Sequence, residues 1–279
     1  MTAVSLLELW QFPFFRNALA ASVLCGVGCS VIGVFIVTMR IPFIGVAMSH
    51  AAMAGAVFGL LTGLPPAGCG FFMALAASFA VGPLTDRVRM DPNISLGVIF
   101  SLMMGLAFLG IGLSPTPRND MLGLIWGNIL LLSGGDILRL ALVTALSLAT
   151  VFLFYKEFRA VMFSRQVAAA SGLRERLTWY LLLVLCGATV TVNLDTVGGL
   201  MLFSMIVNPA AAAWQFTYRM SRLFLISALF GVLAAVAGML LSSLFNLPSG
   251  ACVVVASSAL FGLSLLFSPK RRQAGHVAL

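Results

Sequence analysis

Between Arg16 and Arg40 the chain reads NALAASVLCGVGCSVIGVFIVTM (residues 17–39), a run without a single charged side chain. A bilayer core demands roughly 20 consecutive apolar residues of a helix, and it leaves the backbone no partners but its own. This run is therefore a membrane-spanning helix. Comparable runs recur at about 42–63, 65–85, 93–113, 137–155, 177–194, 196–218, 223–245 and 249–267. The fold class read from them is all-α: a polytopic transmembrane bundle of about nine spans. Eight is the alternative, because the tight pairs around Leu64 and Asp195 could each form one broken or re-entrant element. Composition agrees. Of 279 residues, 61% are hydrophobic and 9% charged, against roughly 45–50% and about 25% in soluble domains. A soluble domain, a disordered chain and a nucleic-acid-binding protein are excluded, since the 16 Lys and Arg behind the net charge of +8 are spread thinly between apolar runs.

Those basic residues set an orientation. With the N-terminus outside, the inner segments hold Arg40, Arg87, Arg89, Lys156, Arg159, Arg165, Arg174, Arg176, Arg219, Arg222, Lys270, Arg271 and Arg272. Only Arg16, Arg118 and Arg139 fall outside. The positive-inside rule then predicts N-out, C-in. Glu8 is the sole charge before Arg16, so a cleaved signal peptide is not expected. The whole chain, 1–279, reads as one transmembrane domain.

Two connections are distinctive. Residues 114–136 contain an apolar core, Met121 to Leu132, that is too short to cross; Trp126 suits the headgroup level. Residues 156–176 form the longest and most basic inner loop. Ser164 can cap a helix, Arg165 to Ser171 is helix-compatible, and Gly172 fits the position after its end. The expectation is a short helix along the membrane surface. Gly55, Gly59 and Gly63 fall at four-residue spacing, as helix-packing faces do.

The missing residue patterns narrow the function. No GxxxxGK[ST] occurs, and neither Lys156 nor Lys270 follows a glycine-rich loop, so the chain has no P-loop for ATP. HExxH and GxSxG are absent, and no span holds paired acids, which removes the usual hydrolase readings. All eight acidic residues sit in loops or at span ends, away from the midplane where proton-coupled carriers keep their relays. The five cysteines, at 25, 29, 69, 186 and 252, form no CxxC pair and read as small hydrophobes. His50 is the exception within the apolar body. It lies ten residues past Arg40, or roughly 15 Å into its span at about 1.5 Å per residue, near the midplane. Either it is a ligand for a passing metal, with Met48 and Met53 close in sequence, or it is a structural histidine bonded to a neighbouring helix.

The segment Met39-Arg-Ile-Pro-Phe-Ile-Gly-Val-Ala-Met-Ser-His50-Ala-Ala resembles the early motif of the integral-membrane permeases of zinc, manganese and iron ABC importers, the ABC-3 family. Val197-Gly-Gly-Leu-Met-Leu-Phe-Ser-Met-Ile-Val-Asn-Pro209-Ala-Ala-Ala is similar to a later family motif. Trp126-Gly-Asn-Ile-Leu with Ser133 and Asp136 resembles its outer loop, and Leu247-Pro-Ser-Gly-Ala opens the last span as the family's does. The resemblance covers nearly the whole chain. It implies a multi-pass permease of the bacterial inner membrane, working as a homodimer. Two cytoplasmic ATP-binding subunits would hydrolyse the ATP, and an extracytoplasmic metal-binding protein would deliver the ion. No cofactor would be bound in this chain. By the same resemblance the 156–176 loop is the coupling loop, with Arg165, Gln166, Ala169 and Gly172 as ATPase-coupling residues, and His50 is a transient metal ligand in the translocation pathway. Two positions depart from the family pattern. Val46 stands where the family commonly has an Asp four residues before the His, and Asn208 replaces an apolar residue before the Pro.

The function expected is thus a permease subunit, not an enzyme, for a divalent transition metal: zinc first, manganese or iron next, since losing a carboxylate removes a hard ligand. The alternatives are a stand-alone secondary transporter or channel, which would transport without an ATPase, and a membrane scaffold or sensor without transport activity.

Overall fold

The computed structural model describes residues 12–113 and 132–270. Among them there are eleven helices and no strand: α1 (Pro13–Thr38), α2 (Ile44–Thr62), α3 (Pro66–Asp86), α4 (Pro92–Leu113), α5 (Gly134–Leu153), α6 (Tyr155–Phe163), α7 (Arg165–Ala170), α8 (Glu175–Val197), α9 (Gly199–Trp214), α10 (Met220–Phe245) and α11 (Ser249–Leu266). Eight of these, α1 to α5, α8, α10 and α11, are long and apolar enough to cross a membrane. The remaining apolar run, 196–218, folds as α9, whose 16 residues reach only about 24 Å at 1.5 Å per residue. Leu64 does lie in a connection between two separate helices: α2 ends on Gly63 in the left-handed region, φ +75°, and Pro66 opens α3. The second break falls at Gly198, φ +82°, three residues past Asp195, where a glycine adopts positive φ without a Cβ clash. The apolar outer loop containing Trp126 lies outside the described residues.

The exteriors of these helices are apolar. Phe72, Leu109, Phe152, Leu225 and Leu266 are all exposed, as expected of side chains that face lipid. The spans tolerate their hydroxyls by returning them to the helix's own backbone: Ser22 donates to Ala18 O, Ser49 to Gly45 O and Thr191 to Gly187 O, each at 2.8 Å.

The chain forms two compact units. One comprises residues up to Val37, Asn128–Thr144 and Leu200–Leu279, and within it α1 meets α9 and α10 at very close range. A Cβ on Gly33 would strike the Ile206 carbonyl, and one on Gly26 would strike the backbone of Gly231. Ser227 Oγ donates to Ser30 O at 2.9 Å beside these glycines. Such approach is how helices associate where no hydrophobic effect drives them together.

The other unit comprises Thr38–Gly127 and Ala145–Gly199. Here α2 and α3 pack through Gly55 against Cys69, Gly59 against Pro66, and Gly70 against Ala52. Gly55 and Gly59 therefore do form a packing face, whereas Gly63 serves as the helix stop. On its other side α2 packs on α4 through Met53, Ala54 and Ala107. α8 lies against α3, with Tyr180 over Gly82 and Gly187 against Ser78. Ser147 and Thr189 join α5 to α8 at 3.1 Å. This unit carries both His50 and the α6–α7 segment.

Candidate functional site

His50 sits two turns into α2 and is half-buried. Its Nδ1 lies 2.9 Å from Val46 O, one turn back on the same helix. A carbonyl can only accept, so Nδ1 carries the proton and donates. The tautomer assigned in this way leaves the Nε2 lone pair as the coordinating atom. The Phe100 ring meets the imidazole edge-on at 4.8 Å, and Phe43 in turn packs on Phe100. The hydrogen bond is thus made within α2 and not to a neighbouring helix.

The two methionines near His50 do not join it. Met48 is fully buried and its Sδ accepts from Ser78 Oγ on α3 at 2.7 Å. Met53 is buried against Ala107 on α4. With Val46 in place of a carboxylate, α2 presents one imidazole nitrogen. Among the described residues no three His, Cys, Asp or Glu side chains gather as a metal site. A single imidazole would offer a metal ion only a weak, fast-exchanging contact here, not a storage site.

The other departure, Asn208 on α9, has partners. Its Nδ2 donates to Ser257 Oγ at 3.0 Å and Ser258 Oγ at 3.1 Å on α11. An amide in place of an apolar residue there ties two helices of one unit together.

The α6–α7 segment is built by local rules. Ser164 is extended, and its Oγ accepts from Val167 N–H at 3.3 Å as an N-cap. At the other end Gly172 adopts φ +78°. Gly172 N–H donates to Ala169 O at 3.0 Å and Leu173 N–H to Ala168 O at 3.1 Å, the paired bonds of a Schellman motif. Between them lies α7, of six residues. Ala168 is buried, whereas Gln166, Val167, Ala169 and Gly172 are exposed, as is Phe163 just before the cap. α6 anchors the segment from behind with Phe158 and Val161 buried.

Arg165 behaves differently from its neighbours on α7. Its side chain turns inward. Nη2 donates to Asp86 Oδ1 at 2.8 Å at the end of α3 and to Glu175 Oε2 at 2.9 Å at the start of α8; Nε adds a third bond to Glu175 at 3.2 Å. The guanidinium also stacks over buried Trp179, 5.1 Å from the ring centroid. Burial works to lower the Arg165 pKa, but the bonds to Glu175 and Asp86 outweigh it and hold the pKa above the ordinary value. Asp86 Oδ2 is buried with no hydrogen-bond partner among the described residues. Of the four expected coupling positions, then, three are available on the surface and Arg165 is committed to the bundle. The sequence gives no signal for this cluster beyond three charges at helix ends, because Asp86 and Arg165 are 79 positions apart.

The Ser133 that the sequence pairs with Asp136 caps α5: its Oγ donates to Asp136 Oδ2 at 2.6 Å, and its N–H bonds the same oxygen at 3.1 Å. This is a helix-start device.

Comparison with known proteins adds an independent measure. "Manganese transport system membrane protein MntC" of Listeria innocua is 30% identical over 268 residues, covering 94% of each chain. The Haemophilus influenzae protein named "Probable iron transport system membrane protein" is 26% identical over 266 residues, covering 95% of this chain and 98% of its own. Among solved structures, "PsaBC from Streptococcus pneumoniae in complex with Fab" superposes with a TM-score of 0.84 at 25% identity over 95% of both chains. The model of the ABC 3 transport family matches residues 11–268. With that match spanning every helix described above, this multi-pass membrane protein belongs to the ABC 3 transport family.

Proposed function

We propose that the chain is the permease subunit of an ATP-driven importer for a divalent transition metal, with manganese first, iron second and zinc third. The observation that carries this reading is the pairing, within one unit, of a capped surface helix with a lone imidazole whose Nε2 is left free to coordinate. The names of the relatives favour manganese and iron over the zinc that donor softness alone would favour. One imidazole per protomer selects weakly among these ions, so discrimination belongs mainly to the protein that delivers them.

In this reading the N-terminus is outside and the C-terminus inside, and α6–α7 lie on the cytoplasmic face. The exposed side of α7, with Gln166, Val167, Ala169 and Gly172, receives a separate ATP-binding subunit. Two copies of the permease pair about a two-fold axis, the commonest closed symmetry, so that two His50 imidazoles line one path. An extracytoplasmic binding protein hands over the ion. The imidazoles replace part of the ion's hydration shell, and their neutrality lets the ion leave.

Metal accumulation in cells with and without the gene, across manganese, iron and zinc, is the direct test. ATP-dependent uptake of manganese with a co-purifying ATPase is the expected result. Transport by the purified permease alone would favour a secondary carrier and end this reading.

A further inference from the structure

We propose that Arg165 is the positioning residue that couples α7 to the transmembrane helices, acting as a clasp between Asp86 on α3 and Glu175 on α8. The proposal rests on α7 being the surface that receives the ATPase.

A six-residue helix has no stability of its own, and α7 buries only Ala168. Its caps fix its shape but give it no hold on the bundle. α6 anchors the segment from behind, and the polar hold on the ends of α3 and α8 comes from one side chain. The guanidinium bonds the last residue of α3 and the first residue of α8, and lies on Trp179 one turn further along α8. A displacement of α7 therefore pulls on the ends of two long helices at once.

Both helices lead to His50 through contacts already described. α3 is locked to α2 at Gly55, Gly59 and Gly70, where no side chain fits between the backbones, and Ser78 Oγ holds Met48, two residues from His50. α8 packs on α3 at Gly82 and Ser78. These contacts form a contiguous packed route inside one compact unit.

The cluster also has room for a second arrangement. It holds the Arg165 guanidinium and two carboxylates, with exposed Arg176 3.8 Å from Glu175 Oε1 at its edge, and Asp86 Oδ2 is buried without a donor among the described residues. Arg165 bonds only Oδ1 in the state seen here. A carboxylate beside a guanidinium can accept two parallel bonds, so Oδ2 offers a bidentate seat that Arg165 can take when α7 moves. A two-position element of this kind is what transmission between distant sites requires.

The test uses the full permease with its ATPase and its extracytoplasmic binding protein in proteoliposomes, measuring ATPase retention and manganese moved per ATP hydrolysed. Arg165→Met and the double variant Asp86→Asn/Glu175→Gln are both expected to retain the ATPase while manganese moved per ATP falls about tenfold. Arg165→Lys, which keeps the charge but loses the fork, should recover part of that ratio. An unchanged ratio in both neutral variants would overturn the proposal. So would loss of the ATPase from Arg165→Met alone, since Arg165 would then touch the partner directly. If Arg165→Met fails to fold, the double variant decides. A wild-type permease that neither binds an ATPase nor moves metal with ATP would overturn the functional reading itself, an outcome distinct from a defect confined to the variants.

Discussion

The segment around His50 and the segment around Arg165 lie in the same unit and solve opposite problems. The first is nearly bare of polar groups: one imidazole, its proton committed to Val46 O, set against Phe100. The second brings the charges of Arg165, Asp86 and Glu175, an aromatic face and two helix caps to one place. Inside a membrane, every additional charge must be partnered or hydrated, and a permanent tight site would hold its ion. At the end of the helices water is near, charges are tolerated, and a firm grip is useful. Scarcity of ligands suits passage, and abundance of contacts suits the transfer of force.

The largest expected effect attacks the frame around the imidazole. Gly55→Leu would force a side chain into the Cys69 carbonyl, and overpacking of this kind commonly costs about 1–3 kcal/mol and more where backbone blocks it. Loss of the monodisperse peak in detergent size-exclusion chromatography is the expected outcome; a normal peak would mean α2 and α3 can separate freely. Next comes His50→Ala. Metal uptake should fall by about tenfold or more, with membrane insertion and ATPase binding unchanged. A structural histidine predicts otherwise: the whole subunit loses yield, or His50→Asn transports as well as wild type.

A smaller effect, in the opposite direction, is expected for Val46→Asp. The new carboxylate would sit one helical turn before His50 and add a hard oxygen ligand, for a several-fold gain in affinity. Tighter manganese binding by titration calorimetry and slower release would sharpen the contrast between passage and grip; unchanged affinity would show that residue 46 does not face the ion. The smallest effect belongs to Ser164→Ala, which removes the N-cap and should destabilise α7 by about 1 kcal/mol. Faster amide exchange at Val167 with little change in thermal stability is the expected signature.

What could be read from the sequence follows the range of the interactions. The limits of α7 were legible because Ser164 and Gly172 act on their own neighbours, and the bilayer's demand for uncharged runs made the long helices legible too. Counting from Arg40, as though the helix began there, overstates the depth of His50; α2 begins at Ile44, which leaves His50 six residues in, about 9 Å at 1.5 Å per residue. The directions of Met48 and Met53 were not legible, because both depend on which helix packs against which face of α2. The break after α8 was expected at Asp195 and falls at Gly198: charge suggested the first position, and backbone freedom decided the second. The inward turn of Arg165 was not legible. Its acidic partner on α3 is remote in the chain, and a basic residue in a basic loop looks like every other one.

The brevity of α7 bears on anyone seeking to block the proposed docking surface. A linear peptide copied from residues 163–173 would carry the right side chains but would spend nearly all its time as coil, because one turn and a half of helix cannot meet the price of nucleation. Such a competitor would need a covalent brace replacing the restraint that Ser164, Gly172 and the Arg165 clasp supply in the intact protein. Small rigid scaffolds that display the exposed side of α7 are better starting points for inhibitors than its sequence alone.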